Sequence, residues 1–441
     1  MRRSVILLLL LGAMELLRPL GSAGYGAQAL LSFGFLILAA HTVGELAHAS
    51  RVPKIVGYLV AGMIFGPSLL HVIGAEAIDR LEPVSDLAIA LIAFLAGAEL
   101  QWSEVRRRGV TFLKIMTVEL AVCFAAIVAL LYGMRGFVPF LATASDARVL
   151  AFCLLFASVA IVHSPAVTMA LLSETRARGP VARTTLGVVL LTDVAVVLLF
   201  SGMLAIARAI APPDDGGAAL SLGMVIWEIG GALLVGVVLG AVVTGYLRFV
   251  GQELTFVAII IALLGAEVAS LLHVETLLTL ITAGFVAENA SRDGRGEALR
   301  HAMERSAAPI FVVFFAISGA NIDLRGVGAL VVLALPVVAV RLAAIWGGTR
   351  IGTWWAGMPK EEGRHVWMGL VSQAGVAIGL ATVAAEAYPV LGEALRTLLL
   401  AVMAINQLFG PIFFRRALAA SGEVTEEGAD PAGRAPEPAP S

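Results

Sequence analysis

The chain has 441 residues, of which 59% are hydrophobic and 14% charged, with a net charge of −2. Soluble domains carry roughly 25% charged residues, so a fold that faces water over most of its surface is excluded. The balanced charge gives no footprint for nucleic acid as a partner.

The first segment, residues 1–27, opens on MRR, runs through an apolar stretch and ends in small residues. That is the pattern of a signal peptide, and an extra N-terminal helix would read the same way. Thirteen apolar spans follow, at 28–48, 54–72, 85–101, 111–133, 148–172, 184–210, 219–248, 254–272, 275–290, 304–322, 328–356, 364–387 and 392–416. Most have the length needed to cross a hydrocarbon core of about 30 Å. The tail 417–441, rich in Pro, Ala, Gly and Glu, is expected to be disordered. Cys123 and Cys153 both lie inside apolar blocks, where a thiol acts as a small hydrophobe. No disulfide, redox role or cofactor is expected.

The loops alternate in charge. Arg51 and Lys54 follow span 1, Arg106, Arg107 and Arg108 follow span 3, and Arg176, Arg178 and Arg183 follow span 5. Arg248, the group Arg292, Arg295 and Arg300, the pair Lys360 and Arg364, and the pair Arg415 and Arg416 follow spans 7, 9, 11 and 13. The loops between are poor in Lys and Arg. The positive-inside rule then places the start of span 1 outside and the C-terminus in the cytoplasm. The sequon beginning at Asn289 falls on the cytoplasmic side and is expected to stay unmodified.

A weak repeat runs through the spans. Span 2 carries LVAG ending at Gly62 and span 9 carries ITAG ending at Gly284; span 3 carries GAEL from Gly97 and span 10 carries GANI from Gly319. The glycines are 35 residues apart in both halves, and spans 2 and 9 run in opposite directions. The expected fold is an all-α membrane protein of two inverted six-helix repeats, 28–210 and 254–416, joined by a linker helix at 219–248. Inverted repeats of this kind place a transport site at midplane between broken helices.

A charge within the apolar core costs at least ~2.5–3.5 kcal/mol, so each needs a reason. Asp193 lies in LGVVLLTDVAVVLLF with no Lys or Arg within a helical turn. A carboxylate stripped of water is satisfied by a proton or by a dehydrated cation, but not by both at once, and that competition is itself an exchange mechanism. Arg341, in span 11, is the natural counter-charge or a cap for a broken helix; being permanently protonated, it is a poor proton carrier. Arg350 is expected to snorkel.

Span 5 holds His163, Ser164 and Pro165 at its centre. Proline removes a backbone donor and clashes with the preceding turn, so the helix is interrupted there. Freed carbonyls, with Ser158, Ser164 and Thr168, offer oxygen ligands for a hard cation. Ser372, Gln373 and Gly375 interrupt span 12 at the matching place. Histidine is the residue type suited to sensing pH in the physiological range, which makes His163 a candidate pH sensor. Glu119 and Glu267 are secondary candidates, able to line a cavity or pair with an arginine. His41, Glu45 and His48 share one face of span 1 and read as an interfacial polar face. Gly236 and Gly240 form a close-packing motif that suits a homodimer.

The run VGYLVAGMIFGP, FLAGAEL, HSPAVTMALLSE, LLTDVAVVLLF, FFAISGANIDL and LVSQAGVAIGLA resembles the monovalent cation:proton antiporters of the Kef and NapA type, from about residue 30 to 416. The resemblance implies thirteen helices, a dimerisation scaffold and a mobile core. It implies that Asp193 carries Na⁺ or K⁺ in exchange for H⁺, that spans 5 and 12 are the crossing broken helices, and that Arg341 is the basic core residue. The protein would then reside in the inner or plasma membrane, without the nucleotide-binding regulatory domain that some members carry. Two positions depart from the pattern. Thr192 stands where electrogenic members carry a second acid, which implies electroneutral exchange, and His163 stands where a threonine is expected. The alternatives are a proton-coupled organic-anion carrier built on Arg341 and an intramembrane enzyme. The second lacks an HExxH motif, and Ser318 lacks a paired histidine.

Overall fold

In a bilayer every backbone N–H and C=O must be satisfied within the protein, which leaves helices as the solution for apolar runs of this length. The computed structural model describes residues 25–212, 222–291, 294–373 and 376–424, and contains no strand among them. Its helices are α1 (Tyr25–Ala49), α2 (Lys54–Phe65), α3 (Ala75–Asp79), α4 (Glu82–Ala98), α5 (Trp102–Gly133), α6 (Pro139–Ala142), α7 (Asp146–Ala160), α8 (Pro165–Thr175) and α9 (Pro180–Ile210). They continue with α10 (Leu222–Phe249), α11 (Leu254–Leu271), α12 (Thr276–Ala290), α13 (Arg295–Ala320), α14 (Leu324–Trp355), α15 (Lys360–Val366), α16 (Val376–Ala387) and α17 (Pro389–Ala420).

The predicted spans overlap helices, with span 2 helical only to Phe65 and spans 5 and 12 interrupted. Among the described residues, eight helical segments are long and apolar enough to cross a membrane, while Lys54–Phe65, Thr276–Ala290 and Pro309–Ala320 are shorter apolar helices. The N-terminal segment is described only from residue 25, so the signal-like stretch lies outside the described residues. At the other end α17 runs to Ala420, four residues into the predicted tail, because Ala417 and Leu418 are fully buried. Residues 425–441 of that tail lie outside the described residues.

The repeat glycines explain how the two halves interlock. A Cβ on Gly62 of α2 would collide with the backbone of Ala316 on α13, and one on Gly319 of α13 would collide with Leu59 of α2. In the same way Gly97 of α4 abuts Ile281 of α12, and Gly284 of α12 abuts Phe94 of α4. An offset of 222 residues carries the first reciprocal crossing onto the second, residue for residue: 59, 62, 94 and 97 become 281, 284, 316 and 319. The same contact therefore recurs at matched positions in both crossings, each needing a backbone approach that only glycine allows.

Apolar side chains gather into two large clusters. One is built from α1, α2, α4 and α10 to α13. The other is built from α5, α7, α14, α16 and most of α17. Helix α9 spans both: Val181 and Leu186 belong to the first cluster, and Val196, Phe200 and Leu204 to the second.

Candidate functional site

The interruption between α7 and α8 follows from Pro165. Its ring restricts Ser164 to an extended conformation, φ −108° and ψ 106°. The Ser164 hydroxyl then accepts a hydrogen bond from the Val167 amide at 3.2 Å, capping α8. Ile161 to Ser164 are non-helical and all are buried. A second interruption opens at Val371, Ser372 and Gln373, ahead of α16; Gly375 lies outside the described residues.

Arg341 of α14 stands between these interruptions with its side chain wholly buried. Nε donates to the Ala160 carbonyl at 2.7 Å, one Nη to the Val371 carbonyl at 2.7 Å and the other to the Val162 carbonyl at 3.0 Å. Carbonyls at a helix C-terminus carry partial negative charge, so one guanidinium ties both breaks together. Gln373 reinforces the tie: its amide donates to Ala160 at 2.7 Å and its oxygen accepts from Asn406 at 2.7 Å. His163 lies 3.5 Å from Arg341 on its Nδ1 side and 3.1 Å from Glu119 on its Nε2 side. Glu119 and His163 are both buried, and the second Glu119 oxygen has no hydrogen-bond partner.

Asp193 takes no part in this cluster of bonds. It is 8% exposed, and neither carboxylate oxygen has a hydrogen-bond partner among the described residues. It lines a pocket of about 20 Å³ between α9, α10 and α12, room for about one water or one dehydrated monovalent cation. Glu275, at the N-terminal end of α12, lines the same pocket, and every other lining residue is Leu, Ile or Val. The hydroxyls of Ser158, Thr168 and Thr192 donate to carbonyls of their own stretch of chain, Leu155, Ser164 and Val188, at 2.8, 3.0 and 2.9 Å. Their oxygens keep lone pairs for a ligand.

The structure brings Arg341, His163, Glu119, Ser164, Ser372 and Gln373 to the interruptions, and sets Asp193 on a neighbouring pocket with no hydrogen bond to Arg341. Glu267 is exposed on α11, apart from both. On α1, Glu45 pairs with Lys54 at 2.6 Å, His48 lies 3.7 Å from Glu174, and His41 is exposed. No group of three or more metal-ligating side chains occurs among the described residues. Arg350 is exposed and lies over the Trp346 ring at 5.6 Å. Asn289 bonds the Trp102 amide at 2.6 Å and the Leu100 carbonyl at 2.8 Å.

The close-packing motif of Gly236 and Gly240 requires correction. A Cβ at either would collide with Thr279, Thr282, Ala283 or Val286 of α12 in the same chain. This small-residue face is filled within the protomer and is not free for a second copy.

Two residues at these sites escape a reading of the chain. Asn406 is an amide within an apolar block, a signal that was available. Glu275 sits at a span boundary between His273 and Thr276, where an acid reads as an interfacial loop residue.

Two interrupted helices tied by a buried cation, beside an unpartnered intramembrane aspartate, define a secondary transporter of the cation/proton antiporter class. Residues 35–420 match the family described as sodium/hydrogen exchanger, transmembrane, and the chain belongs to that family. It is 26% identical over 362 residues to the Na⁺/H⁺-K⁺ antiporter GerN of Bacillus cereus, covering 78% of this chain and 85% of that protein. Its fold resembles the sodium proton antiporter MjNhaP1 from Methanocaldococcus jannaschii at pH 8, with a TM-score of 0.64 and 18% identity over 89% of this chain and 96% of that one. An electron-microscopy structure of the same antiporter gives a TM-score of 0.70 at 16% identity, over 90% and 98% of the two chains.

Proposed function

We propose that this antiporter loads Na⁺ or K⁺ and H⁺ alternately on Asp193, by alternating access, one proton for one cation. The observation that carries the reading is the pair of buried, unpartnered Asp193 oxygens on a cation-sized pocket. Such a carboxylate is stable only with a proton or a cation bound, since a bare buried charge is prohibitively costly. Competition for that one site couples the two ions. Thr192 beside it supplies no second charge, which supports electroneutral exchange. The name of GerN, a Na⁺/H⁺-K⁺ antiporter, supports both cations as substrates.

Thirteen crossings, an outside start to α1, a cytoplasmic C-terminus and residence in the inner or plasma membrane belong to the same reading, as does a homodimer. The organic-anion alternative is weaker, because Arg341, the residue it is built on, directs its guanidinium at backbone carbonyls. Proteoliposomes test the proposal. An imposed Na⁺ or K⁺ gradient drives proton movement in the wild type and none in Asp193→Asn; exchange surviving in the variant overturns the role of Asp193. Clamping the membrane potential at zero leaves the exchange equilibrium unchanged, and a large shift overturns the one-to-one count.

A further inference from the structure

The pocket beside Asp193 is shared. Asp193 enters it from α9, and Glu275 enters it from the first turn of α12. The two acids line the same pocket, and none of its lining side chains is basic. Glu275 is held in place from two directions. Its carboxylate accepts a hydrogen bond from the Leu278 amide, capping α12, and its own amide donates to the Glu228 carbonyl of α10 at 3.2 Å. Helix α12 packs in the first apolar cluster, while α9 passes from the first cluster, at Leu186 and Leu190, to the second, at Val196 and Phe200.

Two carboxylates lining one pocket of about 20 Å³ whose other walls are apolar repel each other when both are charged. A cation between them removes that repulsion and gains attraction from both. We propose that Glu275 is a second cation-binding carboxylate, which shares the dehydrated Na⁺ or K⁺ with Asp193 across the α9–α12 pocket. This rests on the reading of Asp193 as the exchange site. Glu275 then binds the cation from the α12 side of the pocket, whereas Asp193 binds it from α9.

The test separates charge from capping. Glu275→Gln keeps an oxygen to accept from the Leu278 amide and removes only the charge. In proteoliposomes, Glu275→Gln raises the KM for both Na⁺ and K⁺ by about tenfold or more. Glu275→Asp, which keeps the charge, restores most of the affinity. An unchanged KM in Glu275→Gln overturns the proposal and leaves Glu275 as a helix cap. If Glu275→Gln does not fold, Glu275→Asp and Glu275→Asn decide the matter: equal KM values in the two overturn it. Asp193→Asn in the same vesicles keeps the two failures apart, because exchange persisting there would sink the Asp193 reading itself.

Discussion

Burying a guanidinium costs several kcal/mol unless its donors are met. Arg341 meets this cost with carbonyls at Ala160, Val162 and Val371, which would otherwise be orphaned by the interruptions. The cation and the breaks are thus mutually dependent. Arg341→Ala takes the side-chain donor from the Val162 and Val371 carbonyls, leaves Ala160 to Gln373 alone, and destabilises the protein by about 3–5 kcal/mol, read as a lowered unfolding temperature in detergent. Arg341→Lys recovers only part, since one ammonium cannot span both breaks as a planar fork does. Glu119 acts more locally. Glu119→Ala strips the partner from His163 and costs about 1–3 kcal/mol, whereas Glu119→Gln keeps an acceptor and costs less; thermal unfolding ranks the two. Asp193 was legible in the chain because fourteen apolar, small or hydroxyl residues surround one acid. The partner of His163 was not, because Glu119 is 44 residues away and no periodicity links them. Arg341 was legible as a basic core residue, while its commitment to carbonyls depends on how the helices cross.

At the level of elements, four glycines decide the crossings. Replacing glycine by alanine inside an exposed helix gains about 1 kcal/mol in helix propensity. At Gly62, Gly97, Gly284 and Gly319 the added methyl meets the backbone of a crossing helix, which cannot yield as a side chain would. Alanine at any of them is therefore expected to destabilise by about 1–3 kcal/mol. Alanine at Gly34 or Gly202, where nothing lies within 4 Å, is neutral or stabilising. A thermal-shift series of the six variants checks the contrast, and its opposite signs make it a test of the crossing geometry. The repeat was legible from a shared 35-residue spacing, but the pairing was not. Sequence matches α2 with α12 and α4 with α13, whereas in space each packs on the other's mate. A second element-level prediction concerns Glu423, whose carboxylate accepts from the Val181 and Ala182 amides at 2.8 and 2.9 Å. It closes the N-terminus of α9, the helix that bears Asp193. Glu423→Ala is expected to cost about 1 kcal/mol, and hydrogen exchange at Val181 and Ala182 rises first.

On the scale of the whole molecule, the fold is two apolar clusters joined along α9, with the Asp193 pocket at the boundary between α9 and α12. Long apolar blocks made the membrane class legible from composition alone. Helix ends were less legible: α5 begins at Trp102 and α13 at Arg295, about nine residues before the apolar blocks, because these helices carry charged first turns that hydropathy discards. If α9 moves against α12 during transport, Leu190 and Ile281, which line the pocket from the two helices, must part. A reducible cross-link between Leu190→Cys and Ile281→Cys is expected to stop exchange, and its reduction to restore it; transport unaffected by the cross-link excludes motion at this boundary. The central claim is that one carboxylate serves proton and cation in turn. Titration of the purified protein with Na⁺ and K⁺ at acidic and alkaline pH measures that competition directly. The account predicts that apparent cation affinity weakens steadily as pH falls and that Asp193→Asn binds neither ion. An affinity independent of pH, or binding retained in Asp193→Asn, would contradict it.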